Sequence, residues 1–158
     1  MLEFEHIVQV NDLGNDAIID ITRTQLWRGL VLRARSPEKF NRGLQCQSEE
    51  LRDNEFVRII EAGGSKFCEK VVLSPEQEIH TRTLSELDQP LAESTARIEE
   101  PESGYLFVRF IYRRELVDTS EQVDVAEHLK SAYVQVDRDA IALIRMLVES
   151  QLFDQPIN

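Results

Sequence analysis

Basic residues are scarce in this sequence. It has 18 Lys and Arg against 29 Asp and Glu, a formal net charge of −11 at pH 7 and an isoelectric point near 4.7. The field of such a chain repels phosphate backbones and anionic membrane surfaces, so we expect no nucleic-acid partner. The same acidity keeps many small domains soluble, and it therefore specifies no basic partner.

Long apolar runs are also missing. No window approaches the roughly 20 apolar residues of a membrane span. The first ten residues, MLEFEHIVQV, lack both the basic start and the apolar core of a secretory signal. We therefore expect no membrane span and a cytoplasmic location.

Cysteine is too rare for a disulfide scaffold, since the chain has only Cys46 and Cys68. Both fall in predicted strands with one strand between them. That spacing corresponds to about 9.6 Å across a sheet, beyond the roughly 7 Å that a disulfide can bridge between Cα atoms. We expect both thiols to be reduced.

Signatures of catalysis and metal binding are absent as well. The sequence has no GxSxG elbow and no family-specific cysteine signature. Its three histidines, His6, His80 and His128, lack the close spacing of a metal-ligand pair. We expect neither a metal nor a cofactor.

The longest element that the sequence does contain is a helix from Thr119 to about Leu152. Thr119 is a good N-cap, and Gln122 has the spacing of its capping-box partner. The helix has an apolar stripe at helical spacing: Val125, Leu129, Ala132, Tyr133, Val136, Ala140, Leu143, Ile144, Leu147 and Val148. The residues predicted off the stripe are Glu127, Lys130, Gln135, Asp137, Arg138, Arg145 and Glu149. At about 50 Å, such a helix is long enough to cross a whole sheet.

The chain before residue 44 predicts a strand and two helical segments. Residues 2–10 alternate between apolar and polar, as in a half-buried strand. Thr22 and Gln25 repeat the capping-box spacing at the head of a helix that runs to about Arg35. Pro37 then stops this helix and starts a short helical turn.

From residue 44 to 114 the apolar period changes to two, and turn residues recur at hairpin intervals. We predict six strands, at 44–51, 55–62, 66–73, 78–84, 92–100 and 104–114. Their short connections imply antiparallel neighbours. With no repeat or linker, residues 1–158 are predicted to form one domain. The predicted class is α+β, with the order β-α-α-β6-α and a seven-stranded antiparallel sheet wrapped around the long C-terminal helix.

This layout resembles the START-like or SRPBCC helix-grip superfamily, which includes the birch-pollen-allergen-like proteins of pathogenesis-related class ten. More narrowly, it is similar to the AtaL-like family of unknown function. The resemblance covers essentially the whole chain, and it rests on the strand EFEHIVQV and the stretch ITRTQLWRGLVLRARSPEKF. Its most particular residues are Thr22, Gln25, Leu26, Trp27, Gly29 and Leu30. One departure is the short connection at residues 52–54, where the plant allergen type has a longer glycine-rich loop.

The resemblance implies a deep, mostly apolar internal cavity between the sheet and the C-terminal helix, which holds a hydrophobic small molecule. It does not imply a reaction. Strand and helix parity then predict the lining, which consists of Phe4, His6, Val8, Trp27, Leu30, Phe67, Val71, Val108, Phe110, Tyr112, Tyr133, Val136 and Ala140. For Trp27, core packing is the alternative to ligand contact.

Two titratable residues are candidates for acid–base chemistry, although neither identifies a catalytic site. His6 shares a face with Phe4 and Val8, so it is either a proton shuttle or ligand anchor, or a core histidine satisfied by a neighbour. Glu69 shares parity with Val71. It is either an inward acid or base with a raised pKa, or an outward carboxylate paired with a cross-strand arginine.

The last strand is apolar on both faces, because Tyr105, Phe107 and Ile111 alternate with the predicted cavity residues. Aromatic side chains on an outer face favour self-association, and we predict a homodimer.

Three functions stay open. The first is binding of a hydrophobic or amphipathic small molecule, the second is a polyketide cyclase or dehydratase that uses His6 and Glu69, and the third is a protein-interaction module of the chaperone-regulator type.

Overall fold

The computed structural model describes residues 1–84, 90–116 and 122–150, with residues 122–124 described by their backbone only. Its elements follow the predicted order. They are β1 (Leu2–Gln9), α1 (Arg23–Arg35), a 3-10 turn (Pro37–Lys39), β2 (Leu44–Arg52), β3 (Glu55–Ala62), β4 (Ser65–Ser74), β5 (Glu78–Thr83), β6 (Ala92–Glu102), β7 (Tyr105–Arg114) and α2 (Gln122–Glu149). The predicted α+β class is confirmed. The predicted helix ends at Thr119 and Leu152 lie outside the described residues.

The seven strands form one antiparallel sheet in the order β1-β7-β6-β5-β4-β3-β2. Consecutive strands from β2 to β7 are antiparallel neighbours. Tight turns connect the first of them, since Asn54 and Gly63 have φ angles of 63° and 61° between β2 and β3 and between β3 and β4. The first strand closes the other edge by pairing with the last, so that His6 lies opposite Phe110. This is the helix-grip arrangement.

Helix α1 begins at the predicted capping box. The Thr22 side chain accepts a hydrogen bond from the Gln25 backbone amide, and the Gln25 side chain accepts one from the Thr22 amide. This reciprocal pair satisfies two amides that lack partners within the helix. Pro37 follows the last turn and begins the 3-10 turn, as predicted.

The core lies between the inner face of the sheet and the two helices. The helices touch directly where Gly29 of α1 meets Ile144 of α2. A Cβ added to Gly29 would lie 2.4 Å from Ile144 Cγ2, which is closer than such atoms approach in proteins. Only glycine therefore permits this crossing, which fixes α2 against α1.

The buried face of α2 differs from the predicted stripe. Its buried residues are Asp137, Ala140, Ile141, Ile144 and Val148, which share one face at helical spacing. The prediction that Asp137 lies off the buried stripe is therefore wrong, because its side chain is 0% exposed. Val125 and Val136, predicted on the stripe, are 43% and 47% exposed. Residue polarity alone misassigned these positions.

Cys46 and Cys68 are not joined by a disulfide, as predicted. Within residues 1–84, 90–116 and 122–150, no helix is long and apolar enough to cross a membrane.

Candidate functional site

A cavity of about 380 Å³ lies between α1, the 3-10 turn, the sheet and α2. Its apolar wall consists of Leu30, Ala34, Pro37, Phe40, Leu44, Ile60, Ile79, Ala96, Phe110, Ala132 and Val136. Its polar lining consists of Arg33, Asn41, Arg58, Thr81, Ser94, Thr95, Tyr112 and Tyr133. Ala132 and Val136 are exposed residues of α2, so the cavity opens to solvent beside this helix.

The register of three neighbouring strands creates this space. Across β5, β6 and β7, one row of inner positions runs Thr81, Ser94, Tyr112, and the next runs Ile79, Ala96, Phe110. In both rows the middle strand carries the small residue. Since larger side chains stand on either side of Ser94 and Ala96, the sheet is left with a concave floor.

Asp137, a fully buried residue of α2, lies behind this cavity and binds three side chains from three other elements. Its Oδ2 atom lies 2.7 Å from His6 Nε2 of β1 and accepts a hydrogen bond of 2.5 Å from the Tyr112 hydroxyl of β7. Its Oδ1 atom accepts one of 2.9 Å from Arg33 of α1. The carboxylate therefore joins α2 to β1, β7 and α1.

Tyr112, like Arg33, belongs to this cluster and also lines the cavity. Burial raises the pKa of its hydroxyl well above the ordinary value, and the negative charge of Asp137 raises it further. The hydroxyl is thus held protonated and acts as a donor. Its ring stacks on that of Tyr133 with centroids 4.0 Å apart, so the two tyrosines form one aromatic end of the cavity.

A second charged pair, Arg58 and Glu69, lies on the inner face at the other side of the cavity. The two residues are direct cross-strand neighbours on β3 and β4. Arg58 Nε donates to Glu69 Oε1 at 3.0 Å, and Arg58 Nη1 donates to the Ala34 carbonyl of α1 at 2.7 Å. The two side chains are 13% and 17% exposed. The structure combines features of the two alternatives for Glu69, since it points inward and is also paired with an arginine.

The predicted lining residues divide between the cavity and the core. Leu30, Phe110, Tyr112, Tyr133 and Val136 line the cavity. The remaining predicted residues are not part of its lining. Val71, Val108 and Ala140 are buried in the core, Val8 and Trp27 pack against it, Phe67 is half-buried on β4, and Phe4 and His6 stack in the aromatic layer behind Tyr112.

His6 and Glu69, the predicted acid–base pair, are not brought together. Their strands, β1 and β4, are four steps apart in the sheet order. Four interstrand steps amount to about 19 Å along the sheet. Each residue instead has its own oppositely charged or hydrogen-bonding neighbour, Asp137 for His6 and Arg58 for Glu69.

Sequence reasoning missed Arg33, Arg58, Ser94 and Asp137. A signal existed for Arg58, which is two positions from both Phe56 and Ile60 on β3. Residues two apart in a strand point to the same face, so Arg58 shares their inner face. Arg33 follows Leu30 by three positions and so lies on the same side of α1. For Asp137 the spacing to Ala140 and Ile144 was the signal.

In the described ranges, no three His, Cys, Asp or Glu side chains converge in a group that could hold a metal ion.

Comparison with protein families gives one match. The model of the family described as AtaL, acetylaranotin biosynthesis cluster protein L, matches residues 8–151. A search of curated protein sequences gave no significant match.

Solved structures share the fold at low sequence identity. The di-domain aromatase/cyclase StfQ of the steffimycin biosynthetic pathway has a TM-score of 0.70 at 13% identity, covering 95% of this chain and 52% of that chain. The Zhui aromatase/cyclase from Streptomyces sp. R1128 has a TM-score of 0.62 at 13% identity, and the match covers 92% of this chain and 94% of that chain. TTHA0849 from Thermus thermophilus has a TM-score of 0.63 at 12% identity, and the match covers 95% of this chain and 99% of that chain. The chain thus spans about half of the di-domain protein.

Proposed function

Because the chain belongs to the AtaL family and has a helix-grip fold, we propose that it binds a hydrophobic or amphipathic small molecule in the cavity between the sheet and α2. The observation that carries this proposal is the cavity itself. Its volume of about 380 Å³ falls within the range of roughly 300–1,000 Å³ that is usual for ligand pockets.

The lining also has the composition of a ligand site. Apolar side chains from the sheet, α1 and α2 provide the contact area, and a few polar groups provide orientation. Thr81 and Ser94 are cross-strand neighbours on the floor, so their hydroxyl groups face a ligand from the same side. The stacked rings of Tyr112 and Tyr133 favour an occupant with a flat, apolar part.

The comparisons support a metabolite as the occupant. The family description refers to a biosynthesis cluster, StfQ is an aromatase/cyclase of a biosynthetic pathway, and Zhui is also an aromatase/cyclase. These likenesses support a small organic molecule over a macromolecule.

Native mass spectrometry of the protein as purified from cells tests the proposal. We expect a complex that carries a bound organic molecule, and we expect the protein to enhance the fluorescence of Nile red. Ala96→Phe places a large ring on the cavity floor and should abolish both signals. Ala142→Phe makes the same change on an exposed position of α2 outside the lining and should preserve them. Equal binding by the Ala96→Phe variant would place the ligand elsewhere and refute the proposal.

A second candidate function is acid–base catalysis of the cyclase or dehydratase kind. The specific observation is the chain of contacts from the cavity through the Tyr112 hydroxyl to Asp137 and His6. A protonated Tyr112 can donate a hydrogen bond to a substrate carbonyl after rotating from Asp137, and His6 with Asp137 can take up a proton. In this candidate mechanism, Tyr112, Asp137 and His6 have the acid–base roles that the sequence predicted for His6 and Glu69.

Incubation with the molecule identified by native mass spectrometry distinguishes binding from catalysis. An enzyme of this kind would release water from that molecule at a rate that Tyr112→Phe lowers, whereas a binding protein returns it unchanged. The interaction-module function, the homodimer and the cytoplasmic location stay predictions. Sedimentation at tens of micromolar concentration decides the oligomeric state, since a monomer there rules out the dimer.

A further inference from the structure

The cavity contains two arginines, but both are neutralised. Among the described residues, Arg33 and Arg58 are the only charged side chains that line it. Arg33 is bonded to Asp137, and Arg58 is bonded to Glu69. Both carboxylates are well shielded from solvent, with side-chain exposures of 0% and 17%. A ligand in the cavity therefore meets two ion pairs and no net positive charge.

The contacts of Arg58 occupy the edge of its guanidinium that most often binds a carboxylate. An arginine binds a carboxylate best through two parallel N–H groups, often those of Nε and one terminal nitrogen. On Arg58 both Nε and Nη2 lie 3.0 Å from Glu69 Oε1, so this edge is occupied. Nη1 donates to the carbonyl of Ala34. These contacts use three of the five N–H groups of a guanidinium, and the two that remain, one on each terminal nitrogen, can donate to a ligand oxygen.

The surroundings of Arg58 add negative charge. Glu38, on the 3-10 turn, has a shielded Oε2 atom with no hydrogen-bond partner within the described part of the chain. Cys46 lies on β2, which pairs with the strand of Arg58, and the same charged groups affect the pKa of its thiol. Burial raises the pKa of the Cys46 thiol, Arg58 opposes this rise, and Glu38 and Glu69 add to it. An anionic ligand would be repelled by these carboxylates.

We propose that Glu69 is a specificity-determining residue, which restricts the cavity to uncharged ligands by neutralising Arg58. Arg58 then serves as a hydrogen-bond donor to a carbonyl or hydroxyl oxygen of such a ligand. A carboxylate ligand would lose its hydration on entering the cavity without gaining an unpaired cation, and that desolvation is unfavourable. This inference rests on the proposed binding function.

Two probes of nearly the same shape test the proposal. At neutral pH, 2-naphthol is uncharged and 2-naphthoate is an anion, and both are small enough for the cavity. Titration by calorimetry should show that the wild-type protein binds 2-naphthol at least about tenfold more tightly than 2-naphthoate, which corresponds to the loss of one charge-assisted contact. Equal affinities, or tighter binding of 2-naphthoate, would overturn the proposal.

Glu69→Gln removes the neutralising charge and nearly preserves the shape of the side chain. We expect the affinity for 2-naphthoate to rise by about tenfold, because Arg58 is then free to form a charge-assisted pair. The matched control is Glu61→Gln, which makes the same change in net charge on the same sheet, at an exposed position paired with Lys66. It should leave both affinities unchanged, and a gain of 2-naphthoate binding in this control would show a general charge effect and refute a role for Glu69.

A double variant separates charge from shape. Arg58→Gln combined with Glu69→Gln removes both members of the pair, so 2-naphthoate should again bind weakly. Retained 2-naphthoate binding there would contradict the proposal. Binding of neither probe by the wild-type protein refutes the binding function, whereas equal binding of both refutes only the charge selectivity. The wild-type ratio decides the question even where a variant does not fold.

Discussion

His6 and Asp137 are 131 positions apart in the chain, and their side chains meet at 2.7 Å. This contact joins the first strand to the last helix, the two elements that close the structure. His6 stacks between Phe4 and Phe110, with ring centroids at 5.5 and 5.3 Å. The histidine is therefore held by its ring faces and by its Nε2 atom at once, and it fixes Asp137 behind the cavity rather than entering the cavity itself.

Replacement of Asp137 should be among the most destabilising changes in the described structure. Asp137→Ala leaves Arg33, Tyr112 and His6 without their common acceptor. Removing one partner of a buried ion pair typically costs about 3–5 kcal/mol. We expect the lower end of that range, because the Arg33 side chain retains 23% exposure. Urea denaturation measures the loss.

Asp139→Ala on the same helix is the matched control. Asp139 is exposed, and its side chain accepts a hydrogen bond from Gln135. Its replacement should change the free energy of unfolding by less than about 0.5 kcal/mol. Similar losses in the two variants would show that Asp137 contributes no more than a surface residue.

Gly29→Ala should destabilise the protein although alanine favours helices. The added methyl group collides with Ile144, which is fully buried in the core. Overpacking of this kind costs about 1–3 kcal/mol, more than the roughly 1 kcal/mol that alanine gains over glycine in a helix. Thermal and urea unfolding should both show the loss.

A second substitution tests whether that loss comes from the helix crossing. Combining Gly29→Ala with Ile144→Ala removes all three Ile144 atoms that the new methyl group meets, so the double variant should be more stable than the sum of the single effects predicts. Gly64→Ala, where an added Cβ meets nothing within 4 Å, should be nearly neutral. Additive effects of the Gly29 and Ile144 changes would contradict the crossing argument.

Alkaline pH should destabilise the protein through Tyr112. Its pKa is raised in the folded state by burial and by Asp137. Above about pH 10 the unfolded chain releases this proton while the folded protein retains it, so the free energy of unfolding falls as the pH rises. The contribution of this proton is fully present below that pH. Tyr112→Phe should flatten this part of the stability profile, measured by urea denaturation at a series of alkaline pH values. An identical slope in both proteins would contradict the raised pKa.

His6→Gln should affect stability more than binding. Glutamine can still donate to Asp137, but it loses the stacking with Phe4 and Phe110, which is worth about 0.5–1.5 kcal/mol for each aromatic pair. Since His6 is not part of the cavity lining, we expect the affinity for 2-naphthol to change by less than about threefold, or about 0.6 kcal/mol. A much larger loss of affinity in a folded variant would support a direct role of His6 as a ligand anchor.

The sequence predicted features that depend on local spacing. The capping box at Thr22 and Gln25, the six hairpin-linked strands and the alternation of β1 all follow from periods of two or 3.6 residues, and each was confirmed. The inward position of Glu69 was also readable from its parity with Val71. These signals are local because each depends on the backbone geometry of a few neighbouring residues.

Prediction from the sequence failed for residues whose partners come from distant parts of the chain. Polarity placed Asp137 on the solvent side of α2, because a lone carboxylate is unfavourable in a core. It is stable there because β1, β7 and α1 each supply a donor. Likewise, nothing local indicates that Glu69 neutralises Arg58, since that pairing depends on the register of β3 and β4.

The amino-acid order by itself determined the elements, their succession and the antiparallel sheet, because turn chemistry and apolar periodicity act over short distances. Only the tertiary structure decided which side chains share the cavity and which charges cancel within it. Burial makes a charged group unfavourable unless a partner lies within hydrogen-bonding distance, and whether one does is settled by strand register and helix packing between residues far apart in the chain.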